Sequence, residues 1–467
     1  MLFSISLASL LAAPVTPLVS EDEWPRFRGP NGTGLSGGAT APVEFGSAES
    51  LQWSASVPYG SSSPVVTRDA VYVTGADEEG LAVVCVERES GEVRWQHRIE
   101  RANPTEVYPA NDSASPSPVT DGENVYAFFP EFGLVSCDAA GEERWRLELE
   151  PFVSFYGMAA SPVLVGDAIV LLADQQQGSY MIAVDKDSGE PRWRTTRAGQ
   201  IESWATPVVY PVEAPTQVIA FGSFSVCGYS LETGEELWRV PGLGYAPVCS
   251  PVLDGERLYV CTPYHGELPL PSFEVLLGSD ANENGVIESE EAQGEMADHF
   301  GWADANKDGH IDREEWEFCL EGMNTRDYGL VAFDLAPLAE DGEARELWRY
   351  KRGLPSIASP IVVGELIYTI RDGGVLTGLD TNSGEAVVRK RVDGLDGEVW
   401  ASPIATADRL YLASNGGRVV VQGVGAEGAT LAVNELDAEL VGTPALAGGA
   451  LYVHTRDGLR SYRGPAE

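Results

Sequence analysis

Ser161 to Trp193 reads SPVLVGDAIVLLADQQQGSYMIAVDKDSGEPRW. A Ser-Pro step leads into a short apolar strand, a turn, a second apolar strand and a third, YMIAVDK. The turn Asp185-x-x-Ser188-Gly189 then brings in Trp193 and a fourth strand. Glycine permits the tight turn, and the indole is a large flat apolar face to bury against a neighbouring unit. Four short strands in roughly 44 residues is the pattern of one propeller blade.

The pattern recurs along the chain. Ser/Thr-Pro steps stand at Ser63-Pro64, Ser117-Pro118, Ser161-Pro162, Thr206-Pro207, Ser250-Pro251, Ser359-Pro360, Ser402-Pro403 and Thr443-Pro444. Successive prolines lie 54, 44, 45, 44, 109, 43 and 41 residues apart, so one interval alone carries an insertion. Related turns run from Ser90-Gly91 to Trp95 and from Thr233-Gly234 to Trp238. Trp145 follows a shorter turn and Trp348 an expanded one, and Val388 and Ala432 take the tryptophan position in the sixth and seventh units. The last unit has only three strands, whereas Leu51-Gln52-Trp53-Ser54 is a strand without a unit of its own. Pairing the two closes a ring and removes exposed sheet edges. The expected class is all-β: an eight-bladed propeller of four-stranded blades, with a small α-helical pair inserted in blade five. Its expected divisions are a leader over 1–20, an arm over 21–50, blades over 51–266, the insertion over 267–324 and blades over 325–467. The arm, EWPRFRGPNGTGLSGG from Glu23 to Gly38, is expected to pack across one face.

These repeats resemble the quinoprotein-type propellers with tryptophan-docking motifs, a family that includes PQQ-dependent alcohol dehydrogenases and outer-membrane assembly lipoproteins. The resemblance covers nearly everything after Leu51. It implies a binding or scaffolding module, with a quinone-dependent oxidoreductase as the alternative. Quinone dehydrogenases of that family usually set a vicinal Cys-Cys pair beside the cofactor. The six cysteines here include no adjacent pair, which argues against PQQ.

Two twelve-residue loops lie inside the insertion, Asp280 to Glu291 (DANENGVIESEE) and Asp304 to Glu315 (DANKDGHIDREE). Oxygen-bearing side chains occupy positions 1, 3, 5, 9 and 12, Gly position 6 and Ile position 8. The expected calcium ligands are Asp280, Asn282, Asn284, Glu288 and Glu291 in the first loop and Asp304, Asn306, Asp308, Asp312 and Glu315 in the second, with the carbonyls of Val286 and His310. The loops resemble an EF-hand pair whose two members start only 24 residues apart, so that one linking helix must serve both.

A net charge of −40, from 71 acidic and 31 basic residues, makes nucleic acid and anionic membranes poor partners. Leu2 to Ala13 is apolar, too short to span a bilayer, and reads as a secretory leader, which predicts a periplasmic or extracellular protein without stable membrane insertion. Cys249 and Cys261 stand nearly symmetrically about Asp254-Gly255-Glu256, which leaves a cross-hairpin disulfide open. No catalytic motif is recognised: the five histidines are scattered, and nucleophile elbow, phosphate loop and dinucleotide fingerprint are all missing. Candidate ligand contacts are aromatic residues in the blade-to-blade loops, namely Tyr156, Trp204, Tyr245 and Trp400, with Tyr108 and Phe155 beside them. They fit either recognition of a protein, peptide or glycan at the channel mouth or simple capping of the core.

Overall fold

The computed structural model describes residues 21–37, 41–101, 108, 110–154, 156–176, 178–263, 271–294, 296–297, 300, 303–304, 308–324, 327–340 and 342–464. The apolar leader, Phe155, Asn306 and much of the segment linking the two acidic loops lie outside the described residues. Eight four-stranded antiparallel sheets form the blades of a propeller. Blades I to VII span 65–99, 119–148, 163–196, 208–241, 252–350, 361–391 and 404–435; blade VIII spans 445–463 together with 51–55. Strands are lettered a to d from the axis outward.

Blade III shows why the sequence folds this way. Strand b (Ala168–Ala173) is buried at every position and strand c (Tyr180–Asp185) at all but its last, whereas strand d (Pro191–Thr196) alternates towards solvent. The middle strands are covered on both faces by neighbouring blades, so their sequence is continuously apolar instead of alternating. In blade VIII, strand d is Leu51–Ala55, paired antiparallel with Gly458–Arg463 through Leu51↔Tyr462 and Ala55↔Leu459.

Each docking tryptophan faces strand c of its own blade and reaches the c–d turn of the next. The indole N–H groups of Trp53, Trp95, Trp145, Trp193 and Trp348 donate to the carbonyls of Arg88, Ala139, Lys186, Leu231 and Thr381 at 2.8–3.0 Å. Under each ring lies a glycine with positive φ: Gly91, Gly141, Gly189, Gly234 and Gly384. A Cβ there would come within 2.5–2.6 Å of the indole, so only glycine allows the approach. Trp238 differs, donating to Gln217 Oε1 of its own blade at 2.6 Å. The next c–d connection is lengthened by the turn Ala336–Ala339, and a Cβ at its Gly342 would meet nothing within 4 Å. Val388 and Ala432 hold the equivalent register opposite Gly378 and Val421, with no indole to reach across.

The Ser/Thr-Pro steps form a relay round the axis. The backbone N–H of Ser63 donates to Ser117 Oγ, that of Ser117 to Ser161, and so on through Thr206, Ser250, Ser359, Ser402 and Thr443, each at 2.8–3.0 Å. Proline cannot donate, so the residue before it is the one that ties neighbouring blades together. Each bond contributes about 0.5–1.5 kcal/mol. Among the described residues the relay has no counterpart at the seam between blades VIII and I. There the buried His454 places Nδ1 3.0 Å from the Ser62 carbonyl.

The N-terminal arm does more than lie across a face. Trp24 pairs with Val66 in blade I, the Pro25 carbonyl accepts from Thr120 in blade II, and Asn31 exchanges hydrogen bonds with Val209 in blade IV. Leu35 bridges to Ala405 in blade VII. The arm thus joins innermost strands on opposite sides of the ring at the a–b end, and sends Arg26 and Arg28 inward.

Candidate functional site

The opposite end of the ring carries the b–c loops and the blade-to-blade loops. Three aromatic residues from consecutive junctions form a row there. Tyr108, between blades I and II, meets Tyr156, between II and III, edge-on at 4.9 Å, and Tyr156 meets Trp204, between III and IV, edge-on at 5.6 Å. Tyr108 and Tyr156 are 44% and 45% exposed, unusually high for rings of this size. Asn111 Nδ2 donates to the Tyr156 carbonyl at 2.7 Å and Trp204 Nε1 to that of Gly157 at 2.5 Å, so the loops are fastened to each other.

A buried ion pair lies at this same end of blade III. Arg197 and Asp174, both fully buried, form a bidentate pair at 2.6 and 2.9 Å, and Arg197 also donates to Tyr229 Oη. Burial alone would lower the guanidinium pKa; the Asp174 carboxylate outweighs it and holds the group firmly charged. Gly222 leaves the space this pair needs, because a Cβ there would fall 2.6 Å from Arg197 Nη2 and 2.8 Å from Asp174 Oδ2. Behind the row sits Glu202, buried, with a left-handed φ of 31° and its carboxylate accepting from Ser154 Oγ at 3.2 Å. Burial, with the neighbouring Tyr108 and Glu202, pushes the Tyr156 phenol above its ordinary range.

Of the aromatic residues singled out from sequence, Tyr156 and Trp204 are brought together. Tyr245 instead stacks on Phe224 at 5.6 Å, and Trp400 lies half-buried at the VI–VII junction, where its backbone N–H donates to Asn415 Oδ1 at 3.2 Å. Tyr108 completes the row, and its place in a junction loop was the available signal.

The acidic insertion leaves the ring between strands b and c of blade V, on this same end. Helices α1 (Phe273–Leu276) and α2 (Arg313–Asn324) flank it, and Ile287–Glu288 pairs antiparallel with His310–Ile311, joining the loops at their eighth positions. Phe273, Leu276, Ile287, Ala303, Ile311, Trp316 and Cys319 make a core separate from those of the blades. In loop one Asp280 accepts from the N–H groups of Asn284 and Gly285, Glu291 from those of Ala281 and Glu288, and Glu288 is held by the amides of Asn282 and Asn284. In loop two Asp304 accepts from Asp308 and Gly309, and Glu315 from Asp312. Val286 and His310, expected to give a carbonyl each, have their N–H groups taken by Asn284 and Asp308. His310 Nε2 also lies 3.1 Å from the Asp308 carboxylate. Among the described residues no three Asp, Glu, His or Cys side chains converge as a ready-made metal site. The donor set is nevertheless all oxygen, and both position-6 glycines adopt the positive φ of a tight loop, 88° and 92°, which suits a hard cation.

All six cysteines are buried free thiols, Cys249 and Cys261 included. Burial pushes the thiols of Cys85, Cys137 and Cys319 up, to about 11, 12 and 12, away from nucleophilic use.

The sequence matches the family model described as outer membrane protein assembly factor BamB over residues 49–131, 131–294 and 320–462. The outer membrane protein assembly factor BamB of Burkholderia pseudomallei is 24% identical over 193 residues, which is 40% of this chain and 45% of that relative. The match therefore spans less than half the length of this curated relative. Among solved structures, BamB from Moraxella catarrhalis superposes with a TM-score of 0.55 at 13% identity, covering 88% of this chain and 97% of that one. The quinohemoprotein alcohol dehydrogenase from Comamonas testosteroni gives 0.57 at 12% identity, covering 96% and 81%. At such identities these likenesses speak for the fold alone.

Proposed function

The chain belongs to the family described as outer membrane protein assembly factor BamB, and from that premise we propose that it is an exported protein-binding scaffold whose contact surface is the aromatic row at the loop-bearing end. The observation that carries this reading is the run Tyr108–Tyr156–Trp204: three rings from three successive junctions in edge-on contact, two of them nearly half exposed. Large amphipathic rings held by their backbone lose little entropy on binding and are the residues that dominate protein interfaces. The fold likeness to a quinone-dependent dehydrogenase does not extend to a vicinal cysteine pair, and the arm crosses the axis of the ring. Export accords with the apolar leader; among the described residues no helix is long and apolar enough to cross a membrane.

In the same proposal the insertion binds calcium and is ordered by it. The acidic loops carry three and four carboxylates at ligand positions, so the second loop binds more tightly. Affinities of about 10⁻⁴–10⁻³ M suit an extracellular module.

A photo-crosslinking residue at Tyr156 tests the scaffold, with one at Glu123, on an a–b turn at the far end, as control. Exported protein partners should be trapped from position 156 and lost when Trp204→Ala is added; equal trapping from both positions removes the row from the reading. For calcium, titration is followed by the fluorescence of the buried Trp316, with an Asp304→Ala/Glu315→Gln variant alongside. A saturable, variant-sensitive change is expected. Silence up to several millimolar excludes the calcium sites.

A further inference from the structure

Beyond Trp204 the aromatic surface continues towards the acidic insertion. The backbone N–H of Trp204 donates to the Pro247 carbonyl at 3.0 Å, which sets the III–IV loop beside the IV–V loop. There Tyr245 stacks on Phe224, from the b–c turn of blade IV, and both rings are half-buried. Gly242, three residues before Tyr245, accepts from Arg349 Nη2 at 3.4 Å, and Arg349 Nη1 donates at 2.5 Å to the carbonyl of Asp327, where the insertion returns to its blade. Aromatic side chains from four successive junctions thus lead from blade I to the foot of the insertion. This stretch is fixed in advance. Ser223 Oγ lies 2.5 and 3.1 Å from the carbonyls of Ile201 and Glu202, donating between them, and accepts from the Ala246 N–H at 3.3 Å, so one buried hydroxyl ties three loops together. Glu202, Phe224 and Ala246 hold φ of 31°, 66° and 51°, a region that side chains rarely enter. Strain of this kind persists where surrounding structure enforces it, and a surface already ordered loses little entropy on binding.

Charge decides what such a surface attracts. From 271 to 324 the chain carries 15 acidic and two basic side chains, against 56 and 29 everywhere else. Seven of the fifteen stand at the expected calcium positions, so two bound ions would still leave the insertion strongly negative. Of the others, Glu283, Glu290 and Glu314 are exposed. Carboxylates also stand at the far end of the aromatic surface. Glu202 lies close to Tyr156, and Asp112, which accepts from Ser61, adjoins the Asn111 that holds the Tyr156 carbonyl. Aromatic faces attract guanidinium and ammonium groups, and a field of carboxylates raises the local concentration of cations. An acidic segment would be repelled by the field, and an uncharged one would gain nothing from it.

We propose that the segment received here is basic: an extended stretch of a partner protein whose arginine and lysine side chains lie on Tyr108, Tyr156, Trp204 and Tyr245, with further positive charge reaching the insertion. This rests on the reading of the row as a protein contact and adds the chemistry of the partner. Rings supply the local contact, and the insertion supplies the long-range attraction.

The test uses the whole protein, with calcium present, and fluorescein-labelled dodecapeptides that share a backbone of glycine, serine and leucine and carry four arginines, four citrullines or four glutamates. Anisotropy titrations should show the arginine peptide binding about tenfold or more tighter than the citrulline peptide, and the glutamate peptide not at all; rising salt should weaken the first. Tyr156→Ala should weaken the arginine peptide about threefold to fivefold. Glu283→Gln/Glu290→Gln/Glu314→Gln, none at a calcium-ligand position, should weaken it by a similar factor, whereas the equally neutralised Glu123→Gln/Glu232→Gln/Glu365→Gln, on exposed turns at the far end, should not. Equal binding of the arginine and citrulline peptides overturns the proposal, as does arginine binding that Tyr156→Ala leaves intact or that both triple variants weaken alike. Crosslinking judges the scaffold separately: partners trapped specifically from position 156, without preference for the arginine peptide, leave the scaffold standing and overturn the basic segment.

Discussion

Gly189→Ala isolates what the tryptophan docking contributes. A methyl group at this position would stand 2.6 Å from Cδ2 and Cε3 of Trp145, on a backbone with φ +74°. The left-handed conformation alone costs about 1–2 kcal/mol for alanine. Displacing the indole adds about 1–3 kcal/mol of overpacking, and loss of its 2.8 Å bond to the Lys186 carbonyl about 1 kcal/mol more. The sum is about 3–6 kcal/mol. Gly166, in the same blade with φ +59°, has nothing within 4 Å of the place an added methyl would take, so Gly166→Ala should cost only the backbone share, about 1–2 kcal/mol. Urea unfolding followed by circular dichroism compares the two, and a Trp145→Ala background closes the cycle, since there Gly189→Ala should fall to the Gly166→Ala value. Equal costs for the two glycines in the unaltered background would refute the docking argument.

Gly222→Ala should be as damaging without any conformational strain: its Cβ falls 1.9 Å from Gln200 Oε1 and between Arg197 and Asp174, and parting a buried ion pair costs about 3–5 kcal/mol, read as a lowered unfolding midpoint. A loss near 1 kcal/mol or below contradicts that. His454 predicts an acid sensitivity of the closing seam. Burial holds its imidazole below the ordinary value, against the pull of the Ser62 carbonyl, so the unfolded chain takes up the proton first. Stability contributed by the neutral ring is present above about pH 6.5 and is lost as pH falls below it. Melting temperatures from pH 7 to 5 should fall more steeply for the unaltered protein than for His454→Gln, and parallel curves count against the role. Because the insertion has its own core, chelating calcium should raise amide exchange across 271–324 and leave the blades unchanged; uniform loss of protection would contradict the separation.

The blades were legible because a repeat writes its grammar many times. The Ser/Thr-Pro step and the Gly-to-Trp turn each recur with near-constant spacing, and both prove to be contacts between blades: hydroxyl relay and indole dock. Trp53 escaped the docking pattern because its own c strand lies at the other end of the chain, so no turn precedes it in sequence. Arg26 and Arg28 were equally opaque, since the carbonyls they meet are 181 and 332 residues away. Junction position puts Tyr156, Trp204, Tyr245 and Trp400 all in blade-to-blade loops, but of the four only Tyr156 and Trp204 meet each other among the described residues. Whether neighbouring rings touch depends on individual loop paths, such as the left-handed Ala246 beside Tyr245, and no periodicity encodes those.

The pairing of Leu51–Ala55 with Gly458–Arg463 also sets an order of events during biosynthesis. The turn holding Gly91, on which Trp53 docks, is made soon after Leu51–Ala55, whereas that strand meets its sheet partner only after blades I to VII have been made. Until then blade VIII cannot form, and the arm has no complete ring to cross. Contacts so distant in sequence form slowly, and an edge strand left waiting invites pairing with other chains. A chain in synthesis is therefore most open to such pairing until Gly458–Arg463 has been made.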